Sequence, residues 1–287
     1  MNQIGVQKGR VTSEGDSLYY EVRGQGKPLI LIPGAGGDAD RYTLVAQILA
    51  DEYKVITYDR RANARSTMND PQNFEISQQS RDVVAVLQAV GEQSAYIFGN
   101  SSGAVIALDL AKTQPQAVRA VIAHEPPIVR VHPKVKMWQR FYASVYLTSF
   151  HFGSTIAALR FLIGTGLPVI QLIKAARAGR SQADMQSEPR ISPQVYSDFL
   201  IKQELLPVTN YLPDVEGIKR SGVNVIMAAG QESLDKKRWY AETSQILAQR
   251  LGCELAVFPG HHGSFMDMPE PWAKVLRNIL HKAEAIK

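Results

Sequence analysis

Six short, mostly apolar runs, many of their residues β-branched, recur along the chain without regular polar alternation. They lie at residues 28–32, 54–58, 95–98, 120–123, 223–227 and 254–258, and each ends in a turn signal. A strand with one face in water alternates apolar and polar side chains. Near-continuous apolar runs of this length fit strands covered on both faces. Helical patterns separate them. Val83, Val86, Leu87 and Val90 fall at i, i+3, i+4 and i+7; Ser77 or Ser80 can cap that helix and Gly91 can close it. The alternation predicts an α/β fold, a mostly parallel central sheet flanked by helices. A strand at 17–23, followed by Gly24-Gln25-Gly26, precedes the parallel part.

The alternation stops between Glu125 and Val223. That stretch holds Trp138, Phe141, Tyr142, Tyr146, Phe150, Phe152 and Phe161, many Leu and Ile, and no convincing strand signal. We read residues 128–213 as a helical cap inserted after the strand at 120–123, and residues 1–127 and 214–287 as the core. The polar piece at 179–193 reads as a mobile connection that could gate a pocket.

Composition excludes several classes. Apolar residues are 45% and charged residues 21%, which is globular and not disordered or low-complexity. A single cysteine, Cys253, excludes an internal disulfide framework and a Cys-rich metal site, and fits a reducing, cytoplasmic setting. Basic residues number 32 against 27 acidic ones, with the signs interspersed, so no nucleic-acid partner is expected. The longest uncharged stretch, 141–159, carries six Ser, Thr and His residues, so no membrane span is expected. The N-terminus lacks the apolar centre of a signal peptide.

Gly34-Ala35-Gly36-Gly37-Asp38-Ala39 follows a strand and matches G-x-G-x-x-A, with Asp59 at the end of the next strand. That is the pattern of a dinucleotide pyrophosphate site. Against it, some 28 residues precede the pattern, and Pro33 stands at the strand exit. No nucleotide or other cofactor is expected.

Gly99-Asn100-Ser101-Ser102-Gly103 matches G-x-S-x-G and lies directly between a buried strand and a helix, the context that gives this motif meaning. A strand that becomes a helix within one residue forces a strained backbone at Ser101 and exposes its hydroxyl at a helix N-terminus. There, free amides and the helix dipole can stabilise developing negative charge. The Ser102 N–H is one such donor. A serine needs a base. His261 and His262, in the loop after the last strand, are the candidates; no third ligand is spaced to make them a metal site. The base needs an orienting acid. Glu232 and Asp235 follow the strand at 223–227, and Glu125 follows the strand at 120–123.

On these residues the chain resembles the α/β-hydrolase superfamily over roughly residues 17–280. Ile32-Pro33-Gly34-Ala35-Gly36-Gly37 is similar to the family's oxyanion loop, with Pro33 in place of the usual His. Asp59-Arg60-Arg61-Ala62-Asn63-Ala64-Arg65-Ser66 is similar to its D-x-R-G-x-G-x-S turn, with Ala62 and Ala64 in place of glycine. Phe258 to His262, with Pro269-Glu270 beyond, is similar to its terminal histidine loop. The resemblance implies Ser101 as nucleophile, His262 as base with His261 as the alternative, and the amides of Ala35 and Ser102 as the oxyanion hole. It favours Glu232 as the acid, with Glu125 and Asp235 as alternatives. Serine at 101 argues against the branches that attack with a carboxylate.

The expected activity is hydrolysis of a small or medium apolar ester, lactone or related acyl compound through an acyl-enzyme, without metal or organic cofactor. Its partner would be that small molecule. The rival readings are the same triad used for carbon–carbon hydrolysis, cofactor-free peroxidase or lyase chemistry, and a catalytically weak binding member of the fold.

Overall fold

The computed structural model describes residues 5–70, 74–178 and 190–285. The six expected runs are all strands: β3 (Lys27–Ile32), β4 (Tyr53–Tyr58), β5 (Ala95–Asn100), β6 (Val118–His124), β7 (Val225–Gly230) and β8 (Leu255–Phe258). The strand at 17–23 is β2 (Asp16–Arg23). The sequence reading missed β1 (Val6–Ser13), because its side chains are mostly exposed and leave no apolar run. The sheet order is β1-β2-β4-β3-β5-β6-β7-β8. β2 is antiparallel to both neighbours, and from β4 to β8 every pairing is parallel.

Chain order reverses at β3. β4 lies on one side of it and β5 on the other. The loops leaving β3 and β5 therefore diverge and open a crevice at the carboxyl ends of the strands, where open α/β sheets place their ligands.

Helices cover both faces. α1 (Thr43–Leu49) and α12 (Pro269–Ala285) pack on one side, where Trp272 and Phe258 are fully buried. α2 (Ile76–Ala89) and α3 (Ser102–Thr113) pack on the other. Neither Ser77 nor Ser80 caps α2. Glu75 occupies the N-cap, and the Ser80 hydroxyl instead donates to Asp109 at 2.7 Å, one turn inside the helix and facing α3. α3 rests directly on β3 and β5: a Cβ at Gly103 would lie 2.2 Å from the Ile32 carbonyl oxygen, and one at Gly99 2.2 Å from that of Gly103. Only glycine permits that approach.

Between β6 and β7 the chain forms α4 (Val135–Phe152), α5 (Ser154–Thr165), α6 (Val169–Ala178), α7 (Pro193–Phe199), a π-helical turn (Leu200–Glu204) and α8 (Leu205–Thr209), with no strand among the described residues. The apolar stretch at 141–159 is broken at Gly153, and no single described helix is long and apolar enough to cross a membrane. α9 (Val215–Arg220) returns the chain to the core face of α3, and α10 (Gln231–Asp235) and α11 (Trp239–Leu251) follow β7. Trp239 and Tyr240 pack with Tyr142, Val145 and Ile201 of the insertion. Most of the segment expected to be a mobile connection lies outside the described residues.

The turn after β4 is left-handed at two alanines. Ala62 and Ala64, which lack glycine's freedom, nevertheless adopt φ of 63° and 45°. The turn is held by the Asp59 carboxylate, which accepts from the Arg65 and Ala39 amides, and by Asn63, whose side chain donates to the Arg61 carbonyl. A left-handed alanine costs of order 1–2 kcal/mol. Ala64→Gly is therefore expected to raise stability by up to about 1 kcal/mol, after allowing for glycine's greater unfolded-state entropy. Urea unfolding midpoints at pH 7 measure it, and a destabilised variant would show that the turn is unstrained.

Candidate active site

Ser101 is the single residue between β5 and α3. Its φ of 56° and ψ of −122° show the sharp corner that the motif implies. Its amide donates to the His124 carbonyl at 2.9 Å, tying the corner to β6. The Ser101 side chain makes no capping bond to α3, so its hydroxyl is not spent on the helix. Ser102 opens the 12-residue α3, and its amide belongs to the first turn, which lacks intrahelical partners.

The loop after β3 runs against this corner. A Cβ at Gly34 would lie 2.8 Å from the Ser101 Cβ. The Gly34 carbonyl accepts from the Gly37 amide at 3.0 Å and from Arg60 Nη2 at 3.3 Å. In a trans peptide the C=O and the next N–H point opposite ways. Fixing the Gly34 carbonyl on Arg60 therefore aims the Ala35 N–H away from it. Sequence reasoning gave Arg60 no role. It is fully buried and pairs with Glu204 of the π-helical turn at 2.7 Å, a partner 144 residues away that no local pattern could indicate.

His262 lies in the loop after β8 and is buried. Its Nδ1 and Glu125 Oε2 are 2.5 Å apart, and Asn100 Nδ2 donates to its carbonyl at 3.0 Å. The ring packs against Tyr240, with centroids 4.8 Å apart. His261 points elsewhere: Nε2 bonds Asp267 at 3.0 Å and Nδ1 accepts from the Gly263 amide.

The expectation that Glu232 partners the histidine is overturned by the geometry. Glu232 stands in the first turn of α10, bonded to Lys236 and, at 3.4 Å, to Gln171. Asp235 is exposed and accepts from Gln231. Glu125 takes the place instead. It leaves β6 with φ of 50°, and its Oε1 accepts from the Gly230 amide at 2.9 Å. The reason is that β7 runs straight into α10 and turns its carboxylates outward, whereas the left-handed kink at Glu125 sends that side chain under the β7 end. Burial pushes the Glu125 carboxyl up, but His124, the His262 hydrogen bond and the Gly230 amide outweigh it and hold the carboxyl below its ordinary range.

His124 is fully enclosed beside this pair. Asn100 Nδ2 approaches its Nδ1 at 3.0 Å, and its Nε2 has no partner. His124, Glu125 and His262 have ligand atoms within 4.8 Å of one another, the spacing a metal ion could use. The Glu125–His262 bond already engages two of those groups. Burial pushes the His124 imidazole down to about 4 from an ordinary 6.5, against the pull of Glu125. Below pH 6.5 the unfolded chain therefore binds a proton that the folded chain refuses. The stability this neutral ring allows is complete above pH 6.5 and lost between 6.5 and about 4, a loss of about 3 kcal/mol. His124→Gln should remove that part of the acid sensitivity. Urea midpoints at pH 7 and pH 4 for both proteins check it, and parallel losses would refute it.

The dinucleotide reading fails on Asp59. Its carboxylate is fully buried and accepts from the Ala39 and Arg65 amides and from the Arg65 guanidinium, which leaves nothing for a ribose.

Two chambers meet at Ser101 and His262. The larger, about 370 Å³, is walled by Gly36, Tyr42, Leu172, Ile173, Tyr196 and Met266. The smaller, about 40 Å³, lies among Tyr142, Thr165, Glu204, Thr209, Trp239 and Tyr240. Ala35 lines both, and the insertion supplies much of each wall.

A profile of the alpha/beta hydrolase fold matches residues 27–156. The chain has the α/β-hydrolase fold. Over 284 residues the chain is 28% identical to the uncharacterized hydrolase YraK of Bacillus subtilis, covering 96% of this chain and 97% of that one. It shares the fold of a thermophilic esterase from Thermogutta terrifontis, with TM-score 0.72, 17% identity and coverage of 96% and 99%. It also shares the fold of the enol-lactonase of Burkholderia xenovorans LB400, with TM-score 0.71, 16% identity and coverage of 95% and 100%.

Proposed function

We propose that this α/β-hydrolase cleaves a small or medium apolar ester, lactone or related acyl compound, with Ser101 as nucleophile, His262 as general base and Glu125 as the orienting acid. The observation that carries the reading is the 2.5 Å contact between His262 Nδ1 and the buried Glu125, in a cavity that Ser101 also lines. Glu125 holds Nδ1–H, so Nε2 is the nitrogen left to take the Ser101 proton. The Ser101 oxygen attacks the acyl carbon, and the carbonyl electrons move onto oxygen. The amides of Ala35 and Ser102 receive that oxyanion; losing one such donor costs about 10²–10³ in rate. His262 then protonates the leaving group. Water, activated by the same ring, releases the acid and restores Ser101. The apolar walls of both chambers favour an apolar substrate.

Fluorophosphonate labelling tests the nucleophile. A fluorophosphonate is expected to add one adduct, on the peptide carrying Ser101, and none to Ser101→Ala. Intact-mass spectrometry reads the result; an unlabelled native protein overturns the reading. An ester, lactone and amide panel on both proteins then ranks the substrates.

A further inference from the structure

The small chamber has a mostly apolar wall that carries one carboxylate. Glu204 ends the π-helical turn at Leu200–Glu204, and its side chain is buried. Oε1 takes Arg60 Nη2 at 2.7 Å, while Oε2 is buried without a hydrogen-bond partner. Three neighbouring polar groups on the wall are already engaged. The Thr165 hydroxyl donates to the Phe161 carbonyl, the Thr209 hydroxyl to the Leu205 carbonyl, and the Trp239 indole N–H to the Thr165 carbonyl. A π-helical turn often marks a functional site, since it displaces one side chain from the helical register. A buried acceptor left without a donor is a cost that a bound donor removes.

We propose that Glu204 is the specificity-determining residue for the substrate's short side. Its free Oε2 accepts a hydrogen bond from a neutral O–H or N–H carried there. Arg60 already balances the Glu204 charge, so the site favours a neutral donor over a cation. The chamber's 40 Å³ holds about three water-sized groups, so the donor sits within a few atoms of the scissile carbonyl. The bulkier, apolar side of the substrate then occupies the 370 Å³ chamber. The substrate class is a hydroxyl- or amide-bearing short acyl or alcohol group joined to a larger apolar partner.

This inference rests on the hydrolase reading above, and the test separates the two. Wild-type kcat/KM is measured on two matched pairs: p-nitrophenyl 3-hydroxybutyrate against p-nitrophenyl butyrate, and 2-hydroxyethyl octanoate against propyl octanoate. The hydroxylated member of at least one pair should be preferred by about 10–100-fold. Glu204→Gln keeps an oxygen for Arg60 but replaces the charged acceptor with an amide N–H₂, to which a hydroxyl can bond only as acceptor, and should reduce that preference severalfold; an unchanged preference overturns the proposal. Turnover of both pairs with no preference in the wild type overturns the proposal, whatever the variant does. If no ester is turned over and no fluorophosphonate is incorporated, the serine-hydrolase reading fails. The donor preference is then decided by calorimetry with 3-hydroxybutyramide and butyramide: tighter binding of the hydroxylated amide supports it and equal binding overturns it.

Discussion

Glu125→Gln is expected to lower kcat on any hydrolysed ester by about 10⁴-fold while leaving the fold intact. The amide oxygen can still accept from the Gly230 N–H, as Oε1 does now at 2.9 Å. The amide nitrogen would then face His262 Nδ1 and present a donor where an acceptor stands. The ring would have to carry its proton on Nε2, the nitrogen that must be free to receive the one from Ser101. Glu232→Gln is the matched control. That residue bonds Lys236 and Gln171 and does not reach His262, so kcat should be unchanged. Steady-state kinetics on the two variants decide between the carboxylates. Full activity in Glu125→Gln, or collapse in Glu232→Gln, would reverse the assignment.

Asp59→Ala is expected to destabilise the protein by about 3–5 kcal/mol, the usual consequence of removing one partner from a buried ion pair. The Asp59 carboxylate accepts four hydrogen bonds, from the Ala39 amide, the Arg65 amide, and Arg65 Nε and Nη2. Its removal orphans two amides and leaves Arg65 on Asp40, on Glu21 at 3.5 Å and over the Tyr19 ring. The turn after β4 and the start of the loop after β3 would both lose their common anchor, so activity should fall together with stability. Urea unfolding at pH 7 gives the value. A loss no larger than that of an ordinary surface substitution would show that Asp40, Glu21 and Tyr19 suffice to hold Arg65.

The same turn shows how far residue patterns reach. Alanine stands at 62 and 64 in place of glycine, and alanine resists positive φ. The loop keeps left-handed geometry at both positions, and Asp59, Asn63 and Arg65 supply the hydrogen bonds that compensate. β1 escaped notice because a mostly exposed edge strand needs no apolar run, and α2 starts without the serine cap its sequence offered. At α2 the local signal was real, and a contact distant in sequence, Ser80 with Asp109, outweighed it.

The sequence by itself determined the parallel sheet, the corner at Ser101 and the histidine-bearing loop after the last strand. These depend on local physics: unbroken apolar runs need cover on both faces, and a strand that becomes a helix across one serine has few conformations open to it. Only the tertiary structure decided which carboxylate meets His262 and which residue grips Arg60. Glu125 and His262 are 137 residues apart, and Arg60 and Glu204 are 144 apart. Three acids just past strand ends look alike along a chain. They differ only in where the neighbouring strand sends its backbone, because a buried charge persists only where a partner's geometry meets it.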